Sequence, residues 1–231
     1  MGYTREQILE QCRNAFQNKN TFYKKEFINY RGKTTDTNEY YTEVIAGFLC
    51  DNITEYINGI DCITRKGSYK ADGHNGKYDP NSNRQEEKIA MQIFQQSRDY
   101  GAFSLLGKIE DYQTPLKSNA DDEAGKIDLL SCDGKIMRIL ELKKPDSKET
   151  MLRCVLEGYT YLKTVNSDKL ITDFGYNPEE ILLKASPFVF YGGEQHKEMS
   201  QSRSQLRKLM KLLDSKPYYI KENQKYVVLE E

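Results

Sequence analysis

The stretch covering residues 126–145, KIDLLSCDGKIMRILELKKP, constrains the chain more than any other. Two largely apolar runs, 126–131 and 135–143, flank Asp133-Gly134, a dipeptide that suits the two-residue turn of a tight hairpin. Pro145 ends the second run, because proline cannot donate to a ladder. Side chains alternate along a strand, so Ile139, Glu141 and Lys143 fall on one face and Leu140 and Leu142 on the other. Two opposite charges therefore sit inside a strand that reads as buried. An isolated carboxylate there is strongly disfavoured; it persists by pairing, by hydrogen bonding or by binding a cation.

The rest of the chain alternates helical and extended patterns. Ile8, Cys12, Ala15 and Phe16 recur at helical spacing over 4–16, and Val44, Ile45, Phe48, Leu49 and Ile53 do so in a second helix from Asn38. The 66–83 segment, dense in Gly, Asn and Asp, reads as an exposed loop. A third helix is expected to start at an Asn83 cap with Glu86 completing a capping box and Ile89, Ala90, Ile93 and Phe94 facing inward. Residues 105–114 read as a strand. After Pro145, Asp146 and Glu149 form a second capping box, leading a helix that buries Leu152, Val155, Leu156, Tyr159 and Leu162. A strand over 186–191, a cationic helix over 199–213 and a terminal hairpin or edge strand complete the expectation. This is one α/β domain: a mainly helical elaboration over 1–81, a core over 82–192 and a C-terminal helix and hairpin over 193–231.

Composition narrows the chemistry. The 34 Lys and Arg against 35 Asp and Glu exclude an overall polyanion-binding character, so any nucleic-acid contact must be local. With two histidines and no tryptophan, histidine triads and His-rich metal sites recede, leaving carboxylate and lysine chemistry. No GxxxxGK[ST] or GxGxxG segment points to a nucleotide cofactor. Five cysteines without CxxC spacing favour a reducing compartment, and no apolar run reaches membrane length. The expectation is a soluble, cytoplasmic protein with no membrane contact.

The hairpin brings Asp128 beside Glu141. Two carboxylates and a backbone carbonyl at one strand end make a hard, oxygen-rich site of the kind that holds Mg²⁺ together with several waters. A lysine on the same face can orient or deprotonate a bound water. The competing reading of Glu141 and Lys143 is an ordinary ion pair at a solvated strand end.

The segments GKIDLL and ILELKKP resemble the Asp…Glu-x-Lys core of the PD-(D/E)XK nuclease superfamily. The resemblance spans roughly residues 82 to 192. It implies a restriction-endonuclease-like core, a mixed central sheet flanked by helices in the order helix, three strands, helix, strand, carrying the α-helical N-terminal elaboration. It further implies a nuclease, acting on DNA more than RNA, that uses Mg²⁺ or Mn²⁺ held by Asp128, Glu141 and the carbonyl of Leu142, with Lys143 at the attacking water. Many members add a glutamate from the preceding helix; Glu87 is preferred here, since Glu86 is assigned to the cap, and Glu43 is a third candidate. A RecB-like branch carries Gln-x-x-x-Tyr on the following helix, where this chain departs with Glu157 and Tyr161. Arg153, Glu157 and Tyr161 share one side of that helix and are candidates to line the cleft. Arg203, Arg207 and Lys211, spaced by four, form a candidate phosphate-binding stripe, and Arg65, Lys66, Lys70 and Lys77 interleave with Tyr69 and Tyr78. Monomer and homodimer are both open. The alternative function is a catalytically inactive nuclease-like domain that binds nucleic acid or another protein.

Overall fold

The computed structural model describes residues 2–71, 74, 84–116 and 125–230. The hairpin forms as β2 (Lys126–Cys132) and β3 (Ile136–Lys143), with Leu129 opposite Leu140 and Leu130 opposite Ile139. Its tip is Gly134-Lys135 rather than Asp133-Gly134: the Asp133 N–H donates to Ile136 O at 3.2 Å, and Gly134 takes a φ of +91°. Asp133 instead anchors the turn through its side chain, whose Oδ1 accepts from the N–H groups of Lys135 and Ile136 at 2.9 and 2.8 Å.

Around this hairpin the described residues build one six-stranded mixed sheet in sequential order, curled as a half-barrel. β1 (Lys108–Pro115) runs antiparallel to β2, and β4 (Leu182–Phe190) runs parallel to β3 from Ile136↔Leu182 to Lys143↔Val189. β5 (Tyr218–Glu222) is parallel to β4, and β6 (Tyr226–Leu229) returns antiparallel beside it. β1 starts three residues after the expected Leu105, because Phe103 and Gly107 exchange backbone hydrogen bonds at 2.9 and 2.8 Å in a tight turn first. Gly107 makes that turn possible: its φ is +74°, and a Cβ there would stand 2.1 Å from Cys132 O. β4 begins before Ser186 because its parallel partner β3 extends the ladder back to Leu182.

The helices are α1 (Arg5–Ala15), α2 (Tyr41–Asp51), α3 (Ile53–Asn58), α4 (Gln85–Tyr100), α5 (Met151–Thr164), α6 (Ser167–Asp173), α7 (Glu194–Met199) and α8 (Ser204–Leu212), with 3₁₀ turns at Lys19–Lys24 and Glu26–Asn29. α5 and α6 supply the crossover that parallel β3 and β4 require. The capping box expected at Asp146 does not form. Thr150 caps α5, its Oγ1 accepting from the Arg153 N–H at 3.1 Å, while exposed Asp146 pairs with Lys144 at 3.3 Å and Glu149 turns inward to Lys143 at 2.8 Å. The expected 199–213 helix is shorter, α8 alone over Ser204–Leu212: Met199 closes the preceding α7, and Arg203 is the N-cap residue of α8. The expected Asn83 cap lies outside the described residues; α4 begins after Arg84, which makes no side-chain cap bond.

The alternation read from β3 holds. Ile139 and Leu130 pack with Met151, Leu152 and Val155 of α5 and with Ile8, Ile45 and Leu49 of the N-terminal helices. Leu129, Leu140 and Leu142 pack on the opposite face with Ala90, Ile93 and Phe94 of α4 and with Ile220 and Val228. The sheet thus separates two apolar layers, and Glu141 and Lys143 point toward α5. No helix among the described residues is long and apolar enough to cross a membrane.

Candidate active site

The pairing of β2 with β3 ends at Leu129 and Leu140. Beyond it a side chain replaces the ladder: Asp128 Oδ2 accepts from the Leu142 N–H at 3.0 Å. Its other oxygen, Oδ1, accepts from Gln113 Nε2 at 3.0 Å. Half-buried Asp128 opens onto a cleft of about 450 Å³ lined also by Arg84, Gln85, Glu86, Glu87, Gln113 and Lys144. Burial pushes the Asp128 carboxyl up to about 7; Lys143 opposes that rise, and Glu86 and Glu157 reinforce it.

Glu141 and Lys143 are 3% and 4% exposed, which rules out a solvated strand-end pair. Lys143 Nζ lies 2.7 Å from Glu141 Oε1, 2.8 Å from Glu149 Oε2 and 3.1 Å from Glu157 Oε2. Arg153 Nε stands 3.6 Å from Glu157 Oε2, and the Tyr161 hydroxyl donates to Glu157 Oε1 at 3.1 Å. The expected side of α5, Arg153, Glu157 and Tyr161, is therefore assembled against β3. Gly158 allows this approach, since a Cβ there would stand 3.3 Å from Glu141 Cβ.

The protonation pattern follows from these contacts. Burial works against the Lys143 charge, but Glu141, Glu157, Cys154 and Glu149 outweigh it and hold the ammonium well above the usual lysine range. Burial, with Glu157 beside it, raises the Glu141 carboxyl well above the usual range despite Lys143. Glu157 also suffers burial, yet Lys143 and Arg153 hold it below the usual range. Glu157 carries the negative charge, and Glu141 is the carboxyl that takes a proton more readily. Glu141 Oε2 is buried and meets no donor among the described residues. A proton or a cation at that oxygen would satisfy it.

Both first-turn glutamates of α4 line the cleft. Glu86 accepts from the Lys144 N–H at 3.2 Å and acts on the charge of Asp128, so it belongs to the cleft rather than to a cap. Glu87 also lines the cleft and pairs with Arg84 at 3.4 Å. Glu43 is remote in role: it accepts from the N–H groups of Gln205 and Leu206, each at 2.9 Å, and so caps α8. Sequence reasoning missed Gln113 and Glu149. Glu149 carried a signal, since it precedes Arg153 and Glu157 at steps of four; Gln113 carried none.

Among the described residues, no three His, Cys, Asp or Glu side chains converge as a ready metal cage. The donor chemistry nonetheless suits a hard cation: Asp128 and Glu86 border the cleft, and Glu141 keeps an oxygen without a donor. No family model, curated protein or solved structure matches the chain.

The basic stripe is corrected in part. Arg203 is buried, with its guanidinium carbon 3.3 Å from the Tyr40 ring centroid and Nε 3.7 Å from Glu198, so it serves the fold. Arg207 and Lys211 are exposed on α8. Tyr69 is wholly buried, its hydroxyl donating to Ile63 O at 3.2 Å, and does not offer a stacking face. Lys77 and Tyr78 lie outside the described residues.

Proposed function

We propose that this chain is a nuclease of the PD-(D/E)XK type, hydrolysing phosphodiester bonds of nucleic acid, DNA before RNA, with Mg²⁺ or Mn²⁺. One observation carries the reading: Asp128 and Glu141 stand on neighbouring strands where the ladder opens, and Lys143 follows on the same face as Glu141. The element order α4, β1, β2, β3, α5, α6, β4 supports the reading, since apart from the inserted α6 it is the order the motif implies.

Asp128, Glu141 and Glu86 would hold the cation, with the Leu142 carbonyl as the further ligand the motif implies. When bound, the ion supplies Lewis-acid polarisation of the phosphate and a more acidic water. Lys143 remains an ammonium, so it neutralises charge and donates hydrogen bonds rather than removing a proton. Glu157 and Arg153 hold that ammonium in place. Without an ion, burial raises the Asp128 carboxyl to about 7, so cation binding there would displace a proton.

The test is incubation of the purified protein with single-stranded DNA, double-stranded DNA and RNA, with Mg²⁺ or Mn²⁺ and with chelator. Cleavage that needs the ion and is lost in Asp128→Ala and Lys143→Ala supports the reading. Activity that survives chelation or both substitutions sinks it. A second reading rests on the three carboxylates around Lys143: they serve as a structural clamp in a nuclease-like domain that only binds. Nucleic-acid binding with no cleavage on any substrate and no affinity for either ion would select it.

A further inference from the structure

We propose that Gln113 is a positioning residue that sets the Asp128 carboxylate for a divalent cation, an inference that rests on the nuclease reading above. Tyr112 pairs with Leu129 and Thr114 with Ile127, so Gln113 stands directly opposite Asp128. A row then crosses three strands: Gln113 on β1, Asp128 on β2 and Glu141 on β3.

Gln113 holds a φ of +50°, the left-handed region that favours glycine, inside a strand. The residues around it fasten this conformation. Asp111, 3% exposed, accepts from the Tyr112 N–H at 2.9 Å through Oδ1 and from the Thr114 hydroxyl at 3.3 Å through Oδ2. Tyr112 is packed in the α4 layer, and Thr114 is fully buried. Strained backbone of this kind persists where its surroundings over-determine it, and it gathers at functional sites. Here it aims the Gln113 amide at Asp128 Oδ1, while the Leu142 N–H holds Oδ2. With one donor on each oxygen the carboxylate plane is fixed, and each oxygen keeps a second lone pair for a ligand.

The experiment compares wild type, Gln113→Gly and Gln113→Asn, with Asp128→Ala as control. Glycine relieves the backbone and deletes the amide; asparagine tolerates the left-handed φ and keeps an amide, one methylene shorter. Three quantities are read: Tm in chelator, affinity for Mn²⁺ alone from the free-ion paramagnetic resonance signal, and kcat and KM for cleavage. Gln113→Gly should keep or raise Tm, weaken Mn²⁺ binding about tenfold and lower kcat with KM for nucleic acid unchanged. Gln113→Asn should recover part of the Mn²⁺ affinity. Unchanged Mn²⁺ affinity and kcat in Gln113→Gly, beside an active wild type lost in Asp128→Ala, overturn this role alone. So does a loss of affinity that merely tracks a fall in Tm. A wild type that neither binds Mn²⁺ nor cleaves overturns the nuclease reading, and this role with it.

Discussion

Lys143 Nζ stands 3.1 Å from Glu157 Oε2, joining the third strand to the helix that crosses over to the fourth. With Glu141 and Glu149 the same ammonium meets three carboxylates. Replacing it by Lys143→Met leaves Glu141 and Glu157 facing one another largely out of water, and breaking a buried pair from one side costs about 3–5 kcal/mol. The pair Lys143→Met with Glu157→Gln should recover part of that loss, because one repelling charge is gone. Urea midpoints of the four proteins in the mutant cycle measure it. Additive effects would show that the contact does not couple strand to helix.

Asp128 sets a pH dependence with a definite sign. Its carboxyl stands at about 7 in the fold against 3.8 as the reference value. The folded state therefore keeps a proton that the unfolded chain releases. The associated stability is complete below pH 3.8 and is lost as pH rises through 7. Glu141 acts in the same direction and Glu157 in the opposite one. Wild type in chelator should be less stable at pH 8 than at pH 5, and Asp128→Asn should flatten that slope. Denaturant titrations at the two pH values decide, and an identical slope in Asp128→Asn counts against the assignment.

The hairpin, its alternation and the facing of Asp128 with Glu141 were legible because period-two patterning and a turn dipeptide are local signals. What misled was competition for one side chain. Asp146, Glu149, Asn83 and Glu86 all fit capping boxes by spacing, yet Glu149 and Glu86 are drawn to Lys143 and to the Lys144 N–H, partners that only the folded sheet supplies. Arg203 fell on a regular cationic spacing, but the chain turns between α7 and α8 and seats it on Tyr40. Gln113 was invisible because a left-handed φ at a glutamine has no sequence signature.

Thr150 links the candidate site to the N-terminal elaboration. Its hydroxyl caps α5 and donates to Ile28 O at 2.8 Å, and the residue is 2% exposed. Thr150→Ala removes the cap and leaves a buried carbonyl short of a donor, a loss of about 1–2 kcal/mol. Thr150→Ser keeps the hydroxyl and should retain most of the stability. Thermal melts of the two variants test this, and equal losses would show that the hydroxyl is not the cause.

Nucleic-acid contact by α8 is testable through salt. Lys211 is exposed on that helix, whereas Arg203 is buried under Tyr40. A lysine that meets a phosphate releases a counterion, so Lys211→Ala should weaken binding on all sequences and reduce the salt slope by about 1. Arg203→Ala should instead lower Tm, since it uncovers Tyr40 and strips Glu198 of its ion pair at 3.7 Å. Fluorescence anisotropy on a labelled duplex across a salt series, with Tm measured in parallel, separates the two. An unchanged slope in Lys211→Ala would remove Lys211 from the binding surface and make Arg84 and Lys144, which line the cleft beside Asp128, the next cations to substitute.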